Sequence, residues 1–326
     1  MNSVKDKDIA IDILKFIAAI IITNSHMDIL YGKYSFMATG GAIGDTLFFF
    51  CSGYTLLLGR GGNFFNWYKR RINRIYPTVF SWMLVCCIVW NYQFTLLDVI
   101  LHGGGWFIEC IMIYYAILWI IKRYAIQHLN MVFLVSAIII FIRYVFFINN
   151  SECEGIYGAT TFKYWIFFLS MLSGAILGVK KRGAFSVGNI YVNTFLLFVS
   201  ISLFYILCFF GKSNIVLSYL QFFTIFALIS SAYYLYKFCC TDIVKKLYNH
   251  SIYGFAIKSI GGLCLEIYLV QYALLTDNFN NIFPLNLPIM FLVIILAAYI
   301  LKILSNVWKQ TFMDCDYDIR KIIKIY

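Results

Sequence analysis

The first apolar segment of the chain carries polar side chains at a spacing that could support proton transfer. Asp12, Lys15, Ala19, Thr23 and His26 recur every three or four residues, so a helix projects them from one face. Ionisable residues inside a membrane span cost free energy unless they are paired or wetted, which makes each a functional candidate. A neutral imidazole near pH 7 can remove a proton from a hydroxyl, and His26 is therefore a candidate general base.

Lys15 and His26 are eleven residues apart, or about 16 Å along a helix. They cannot touch, but they could line one tunnel, with Lys15 near its inner mouth. Two alternatives stay open: Asp12 and Lys15 form an i,i+3 ion pair that ends the span, and His26 hydrogen-bonds a neighbouring helix. The polar run around His26, which includes Asn24, Ser25 and Asp28, favours a functional site over contact with lipid.

A basic cluster follows the second apolar segment and precedes Tyr76-Pro77. Guanidinium groups suit phosphate, so the cluster could bind a nucleotide-bearing cofactor or anionic lipid headgroups. The alternative is that these charges only anchor the cytoplasmic side of the membrane spans. Its members, with Arg60 upstream, are Lys69, Arg70, Arg71 and Arg74.

Five further residues are candidates because of their chemistry and position. Glu109 follows an outward loop, residues 102–106, whose glycines allow close backbone approach, and Trp106 is either an interfacial anchor or a substrate contact. Glu266 and Gln271 lie within a late apolar segment. Asp45 precedes the second segment's apolar run and is predicted as a helix cap in preference to a substrate contact.

Composition indicates the elements that position these residues. Of the 326 residues, 62% are hydrophobic and only 13% charged, against roughly 25% charged in an ordinary soluble domain, which excludes that class. We predict an all-α, polytopic integral membrane helix bundle in one domain, residues 1–326, with about ten transmembrane helices. The predicted spans are 9–30, 42–59, 77–93, 106–121, 131–148, 162–179, 188–210, 214–236, 259–276 and 286–308.

The net charge of +11 tests this topology. Of the 26 Lys and Arg, only Lys33, Lys163 and Lys212 lie in outward loops, while Lys15, Arg143 and Lys302 lie within spans. The remaining twenty lie on the side of the N-terminus, which predicts that both termini are cytoplasmic. Most of the basic excess therefore indicates topology, and no nucleic-acid partner is expected.

The cysteines and histidines predict neither a disulfide framework nor a metal site. Six of the ten cysteines lie inside apolar runs, and the four histidines have no metal-ligand spacing. The N-terminal sequence MNSVKDKD shows no cleavable signal.

Five motifs, in order along the chain, resemble those of the membrane acyltransferase-3 family. They are Asp12-Ile13-Leu14-Lys15-Phe16-Ile17-Ala18-Ala19 followed by Ser25-His26, Leu47-Phe48-Phe49-Phe50-Cys51-Ser52-Gly53-Tyr54, Arg71-Ile72-Asn73-Arg74-Ile75-Tyr76-Pro77, Trp106-Phe107-Ile108 with Tyr114 and Tyr115, and Cys264-Leu265-Glu266-Ile267-Tyr268-Leu269-Val270-Gln271. The resemblance implies a membrane O-acetyltransferase of the cell's inner membrane. It implies transfer of acetyl from cytoplasmic acetyl-CoA to a hydroxyl of a cell-surface polysaccharide or its lipid-linked precursor, as in capsule or O-antigen modification.

The resemblance also implies roles for individual residues. Lys15 and His26 match the family's essential first-helix pair, and Arg71 and Arg74 its essential cytoplasmic arginines. Gln271 stands where the family has a late histidine, and Asp45 is displaced by one position because Thr46 occupies the usual acidic position. The esterase-like domain appended in some members is not expected here.

These observations combine into one scheme. Arg71 and Arg74, with Lys69, Arg70 and Lys15, would hold the phosphates of acetyl-CoA, and His26 would act as general base or carry the acetyl group. The remaining candidates are substrate contacts or orient the imidazole: Glu109, Glu266, Trp106, Asp45 and Gln271. A transporter or flippase of a lipid-linked sugar is the main alternative, for which inverted repeats would be expected and are not seen. The oligomeric state stays open.

Overall fold

The computed structural model describes residues 8–148, 155–158, 160–180, 186–213, 216–313 and 316–325. Within these ranges the chain is helical and contains no strand, as predicted. The helices are α1 (Ile9–Ser25), α2 (Asp28–Tyr31), α3 (Gly41–Leu58), α4 (Phe64–Trp90), α5 (Leu96–Leu101), α6 (Gly105–Tyr124), α7 (Leu129–Ile148), α8 (Lys163–Lys180), α9 (Ile190–Ser213), α10 (Leu220–Cys239), α11 (Asp242–Asn249), α12 (Ser251–Gly262), α13 (Cys264–Leu274), α14 (Asn286–Thr311) and α15 (Ile319–Ile322).

Seven of the described helical segments are long and apolar enough to cross a membrane, or up to nine if each bent helix pair is one span. Every predicted window overlaps a helix, but α8, in the sixth window, is not among these nine. The count of ten therefore stays a prediction. So does the placement of the termini, since residues 1–7 and 326 lie outside the described ranges, as do residues 214 and 215 at the start of the eighth window.

The outward faces of α7 and α9 are apolar, as a bilayer requires. Large hydrophobic side chains on these two helices are exposed where a soluble protein would place polar ones. They include Met131, Leu134, Val135, Ile138, Ile139, Ile142, Phe195, Phe198 and Phe209. The chain is therefore a helical membrane protein.

The first predicted span, 9–30, is not one straight helix. Helix α1 ends at Ser25, and the segment Asp28–Met37 departs from it at 62°. The cause lies in two side chains, because polar groups near a helix end compete for backbone hydrogen bonds. The Asn24 amide donates to the carbonyls of Met37 and Thr39, and the Tyr31 hydroxyl donates to Asn24 Oδ1. His26 consequently lies in the turn after α1, not on the helix.

The helix that carries the third predicted span, 77–93, begins well before that span. Helix α4 starts at Phe64, where the Asn63 side chain accepts the backbone N–H of Asn66, and it continues through Pro77 to Trp90. The proline suggested a boundary, yet the helix runs through it. Residues 69–74 are therefore helical and not part of a loop.

The chain divides into two compact units, each described by itself below. Unit 1 contains residues 8–18, 42–59 and the described part of 121–257, and unit 2 contains residues 19–41, 60–120 and the described part of 258–325.

In unit 1, small residues allow α3 and α8 to approach closely. A Cβ at Gly53 would strike the backbone of Met171, and one at Gly174 would strike the backbone of Phe50. Small residues at such crossings are how membrane helices gain contact without a hydrophobic driving force between them. Gly53, within the second motif, is therefore a packing residue.

Unit 2 is built on α4, α13 and α14, which pack together. Their shared core is apolar and fully buried, and it fixes the helices that carry most of the candidate site residues. The core residues are Val79, Met83, Ile267, Val270, Met290, Ile294, Ala298 and Leu301.

Candidate functional site

His26 contacts a tyrosine from the end of α13. The Tyr272 hydroxyl lies 2.8 Å from His26 Nδ1 and 2.9 Å from Nε2, and the ring centroids are 4.4 Å apart. The hydroxyl can donate to the unprotonated nitrogen of a neutral imidazole or accept from the protonated one. Tyr272 was not a sequence candidate, although it follows Gln271 directly, because periodicity gives no information on which residues of different helices meet.

Glu266 lies in a buried polar cluster between α4, α13 and α14. Its Oε1 accepts a hydrogen bond from Lys302 Nζ at 3.0 Å and one from the Thr78 hydroxyl at 3.4 Å. Thr78 and Ser305 also share a hydrogen bond of 2.9 Å. The carboxylate is 1% exposed, and burial of a charge requires such a partner. Tyr272 contacts the His26 ring, whereas Glu266 is paired with Lys302.

Gln271, in the place of the family's late histidine, is completely buried. Neither its Oε1 nor its Nε2 has a hydrogen-bond partner among the residues that the structure describes, and the same is true of Glu266 Oε2. Leaving a buried polar group unpaired costs about 1–3 kcal/mol, so these groups are unusual positions in the core of unit 2.

Glu109 pairs with a histidine from the loop before α6. His102 Nδ1 and Glu109 Oε1 are 2.9 Å apart, and the histidine side chain is 68% exposed. The turn that brings them together uses Gly105 with a φ of 64°, a conformation that glycine adopts without strain. Glu109 was predicted to orient the His26 imidazole or to contact substrate, and its described contact is with His102.

Trp106 occupies the first turn of α6 and packs edge-on against Phe107. The Phe107 backbone N–H donates to the Tyr268 hydroxyl at 3.4 Å, which joins the start of α6 to α13. The position of Trp106 at the end of an apolar helix fits both of its predicted roles.

The arginines of the basic cluster have different surroundings. The Arg71 guanidinium lies 4.6 Å from the centroid of Trp67 and 5.8 Å from that of Tyr115, and its Nε is buried without a described partner. Arg70 donates instead to the carbonyls of Arg60 and Gly61, which fixes the loop before α4. Arg71 is therefore held in a cation–π site, and Arg70 has a structural contact that competes with ligand binding.

Lys69 and Arg74 are exposed, as is Arg70, whereas Arg71 is half-buried. Arg74 is one turn after Arg71, so the two guanidinium groups lie on the same face of α4. Two neighbouring cations on one helix face can hold a polyphosphate.

Lys15, Asp12 and Asp45 belong to unit 1. Asp12 is 6% exposed and accepts a hydrogen bond of 3.0 Å from the Tyr248 hydroxyl, a partner that the sequence did not identify. Lys15, one turn later on α1, is half-buried. Asp45 is not the cap of α3, because that helix already begins at Gly41 and places Asp45 inside it.

A cavity of about 550 Å³ opens in unit 2 beside Tyr272 and His102. Its walls come from the second half of α4, the α4–α6 connection and the end of α13. The residues that matter chemically are Trp82, Tyr92, Phe94, Asp98, His102 and Tyr272. Its volume is typical of a small-molecule site.

Apolar helices of membrane-spanning length, with buried polar and charged groups between them, define a helical membrane protein. The chain belongs to the acyltransferase-3 family, since the model of that family, described as an acyltransferase domain, matches residues 8–305. The resemblance inferred from the five motifs is confirmed, and it indicates a membrane acyltransferase. No curated protein and no solved structure matches the chain.

Proposed function

We propose that this protein is a membrane O-acetyltransferase that moves acetyl from cytoplasmic acetyl-CoA to a hydroxyl of a surface polysaccharide or its lipid-linked precursor. The observation that carries the proposal is the contact between His26 and Tyr272, a residue that lines a cavity, in a chain of this family. The protein would act in the inner membrane, with both termini in the cytoplasm.

The reaction requires one proton to move twice. His26 takes the proton of the acceptor hydroxyl as its oxygen attacks the thioester carbon of acetyl-CoA. A C–O bond forms and the C–S bond breaks. The imidazolium then returns the proton to the departing CoA thiolate, so the products are an O-acetyl ester and free CoA. Tyr272 would fix the orientation of the ring through its hydroxyl.

The donor would bind at the basic cluster. Arg71 and Arg74 would hold the phosphates, with Lys69 as a further exposed cation. Lys15, which belongs to unit 1, stays a candidate for phosphate binding. Because Arg70 is engaged by backbone carbonyls, its share in phosphate binding would be smaller. From Arg71 to Trp82, the first cavity residue on α4, the rise is about 16 Å, a separation suited to an extended donor that reaches from one end to the other.

The remaining sequence candidates would bind the acceptor or support the site. Glu109 would act through His102. Trp106 would contact a sugar from the first turn of α6. Gln271 and Glu266 would contribute buried hydrogen-bonding groups to unit 2. Asp45, in unit 1, would contact substrate.

The test is incubation of membranes that contain the protein with acetyl-CoA labelled in the acetyl group. Label is expected in surface glycan or in lipid-linked sugar, and membranes from cells without the protein supply the background. Label that stays in acetyl-CoA while lipid-linked sugar changes leaflet would instead identify the transporter. Label in neither place above background, from protein that is present at normal level, would overturn the proposal.

A further inference from the structure

The cavity beside Tyr272 is lined by both aromatic and hydrogen-bonding side chains. Three aromatic side chains, Trp82, Tyr92 and Phe94, present rings to it, while Asp98 and His102 supply hydrogen-bonding groups. Aromatic faces pack against apolar C–H surfaces, and a carboxylate accepts hydrogen bonds from hydroxyls. A ring that combines both kinds of surface, such as a pyranose, matches this lining.

Asp98 brings a negative charge to the cavity wall. Its Oδ2 accepts hydrogen bonds from the backbone and hydroxyl of Thr95, which hold the pKa of the carboxyl below its ordinary range. The group is therefore charged at neutral pH. Among the described residues, Oδ1 has no hydrogen-bond partner and can accept from a ligand. A phosphate or carboxylate at this site would meet like charge.

The surroundings of the two halves of α4 thus differ in charge, with cations at the first half and the Asp98 carboxylate beside the second. Arg71 and Arg74 lie near its beginning, and the cavity residues Trp82, Met83 and Cys86 lie in its second half. The anionic donor is attracted to the first end and repelled from the second. A neutral acceptor has no such conflict at the cavity.

We infer that this cavity is the acceptor site, and that it binds a neutral pyranose ring stacked on Trp82 and Tyr92 with a hydroxyl on Asp98. The inference rests on the proposed function for its chemistry, since the Tyr272 hydroxyl links the cavity to His26. Aromatic residues near a membrane surface otherwise act as lipid-facing anchors, and this is the alternative that the test separates.

The experiment measures binding without turnover, on the full-length protein in detergent micelles. Methyl glycosides of glucose, galactose, mannose and N-acetylglucosamine are titrated by saturation-transfer NMR, each beside the methyl glycoside of its own uronic acid. At least one neutral glycoside is expected to bind saturably, and the matching uronide about tenfold more weakly, as for one like-charge contact. Asp98→Asn is expected to reduce this difference to less than about threefold.

Two controls separate recognition from folding. Thr95 and Asp98 together form the capping box of α5. Thr95→Ala disrupts this box but keeps the Asp98 carboxylate, so the discrimination against uronides is expected to persist. Trp82→Leu is expected to weaken the neutral glycoside about tenfold. Tyr191→Leu, which changes a tyrosine that is 82% exposed on α9, is expected to leave binding unchanged.

The outcomes distinguish this inference from the function on which it rests. Binding of no neutral glycoside, or a discrimination against uronides that Asp98→Asn leaves unaltered, overturns the acceptor site. Label transfer to glycan from acetyl-CoA in the same preparation would then leave the proposed function standing. Glycoside binding as expected but without any acetyl transfer would overturn the proposed function and retain a sugar site.

Discussion

The hydroxyl of Tyr272 is the atom that the structure adds to the chemistry predicted from His26. Two heteroatoms within 3 Å of each other, from segments 246 residues apart, form a pair that no local pattern reveals. A phenol that hydrogen-bonds an imidazole restricts its ring rotation. Tyr272 is thus a positioning residue for the proposed base.

Tyr272→Phe tests this role, because it removes the hydroxyl and keeps the ring in the cavity wall. We expect kcat to fall about 10- to 100-fold, while KM for acetyl-CoA changes less than about threefold. The measurement is initial rate against donor concentration. A fall in the amount of folded protein that accounts for the whole loss, or an unchanged kcat, would contradict a positioning role.

Arg71 differs from its basic neighbours because its guanidinium lies over the Trp67 ring. Lysine keeps the charge but loses the planar stacking and the paired donors. We expect Arg71→Lys to raise KM for acetyl-CoA about tenfold with kcat less affected.

Arg123→Lys is the matched control, because Arg123 also lies over an aromatic ring, that of Tyr124, outside the cluster. It is expected to leave KM for acetyl-CoA unchanged. Equal KM values for the two variants and the unsubstituted protein would remove Arg71 from the donor site.

At the level of whole helices, close packing explains one motif that chemistry does not. Gly53 follows the paired phenylalanines of the second motif, and it lies where the backbone of α8 passes. The position admits no side chain without moving a helix. The motif therefore specifies the α3–α8 contact within unit 1.

Gly53→Val should thus disrupt folding more than chemistry. We expect loss of most of the monodisperse protein in detergent size-exclusion chromatography, since an added side chain would collide with the Met171 backbone. Gly61→Ala is the control, because a Cβ there meets nothing within 4 Å. A normal profile for Gly53→Val would show that α3 and α8 can separate at little cost.

Helix ends show why some boundaries could be predicted and others not. The charge run and Pro77 suggested that α4 begins near the proline, but Asn63 supplies a good cap and the helix extends through the basic cluster. The bend after Ser25 depends on hydrogen bonds from Asn24 to a segment more than ten residues later. Hydropathy detects apolar length, not such capping contacts.

For the whole molecule, the sequence was sufficient to predict a helical membrane protein and its family, but not which side chains of different helices contact each other. Low charge, apolar length and ordered motifs predicted a helical membrane acyltransferase, and the helices and the family match agree. The Glu266–Lys302 pair shows the limit, because both residues were visible as charges within spans. Their contact depends on how α13 and α14 pack, which periodicity does not determine.

The excess of Lys and Arg over Asp and Glu serves two separate purposes in our account. Many of the basic residues lie in the last turns of their helices, where the positive-inside rule predicts charges that orient a membrane protein, while Arg71 and Arg74 lie on one face of α4. The same residue types therefore serve insertion in one place and, in our proposal, phosphate binding in another.

The most direct test of the account is acetyl transfer by protein in which His26 is replaced by alanine. Purified unsubstituted protein, His26→Ala and the control His128→Ala are compared at equal amounts of folded protein, with labelled acetyl-CoA and glycan acceptor. We expect transfer by the unsubstituted protein and by His128→Ala, and a reduction of at least about 100-fold for His26→Ala, because the loss of a general base removes typically 10²–10⁴ in rate. Near-normal transfer by His26→Ala would contradict the assignment of His26 as the base.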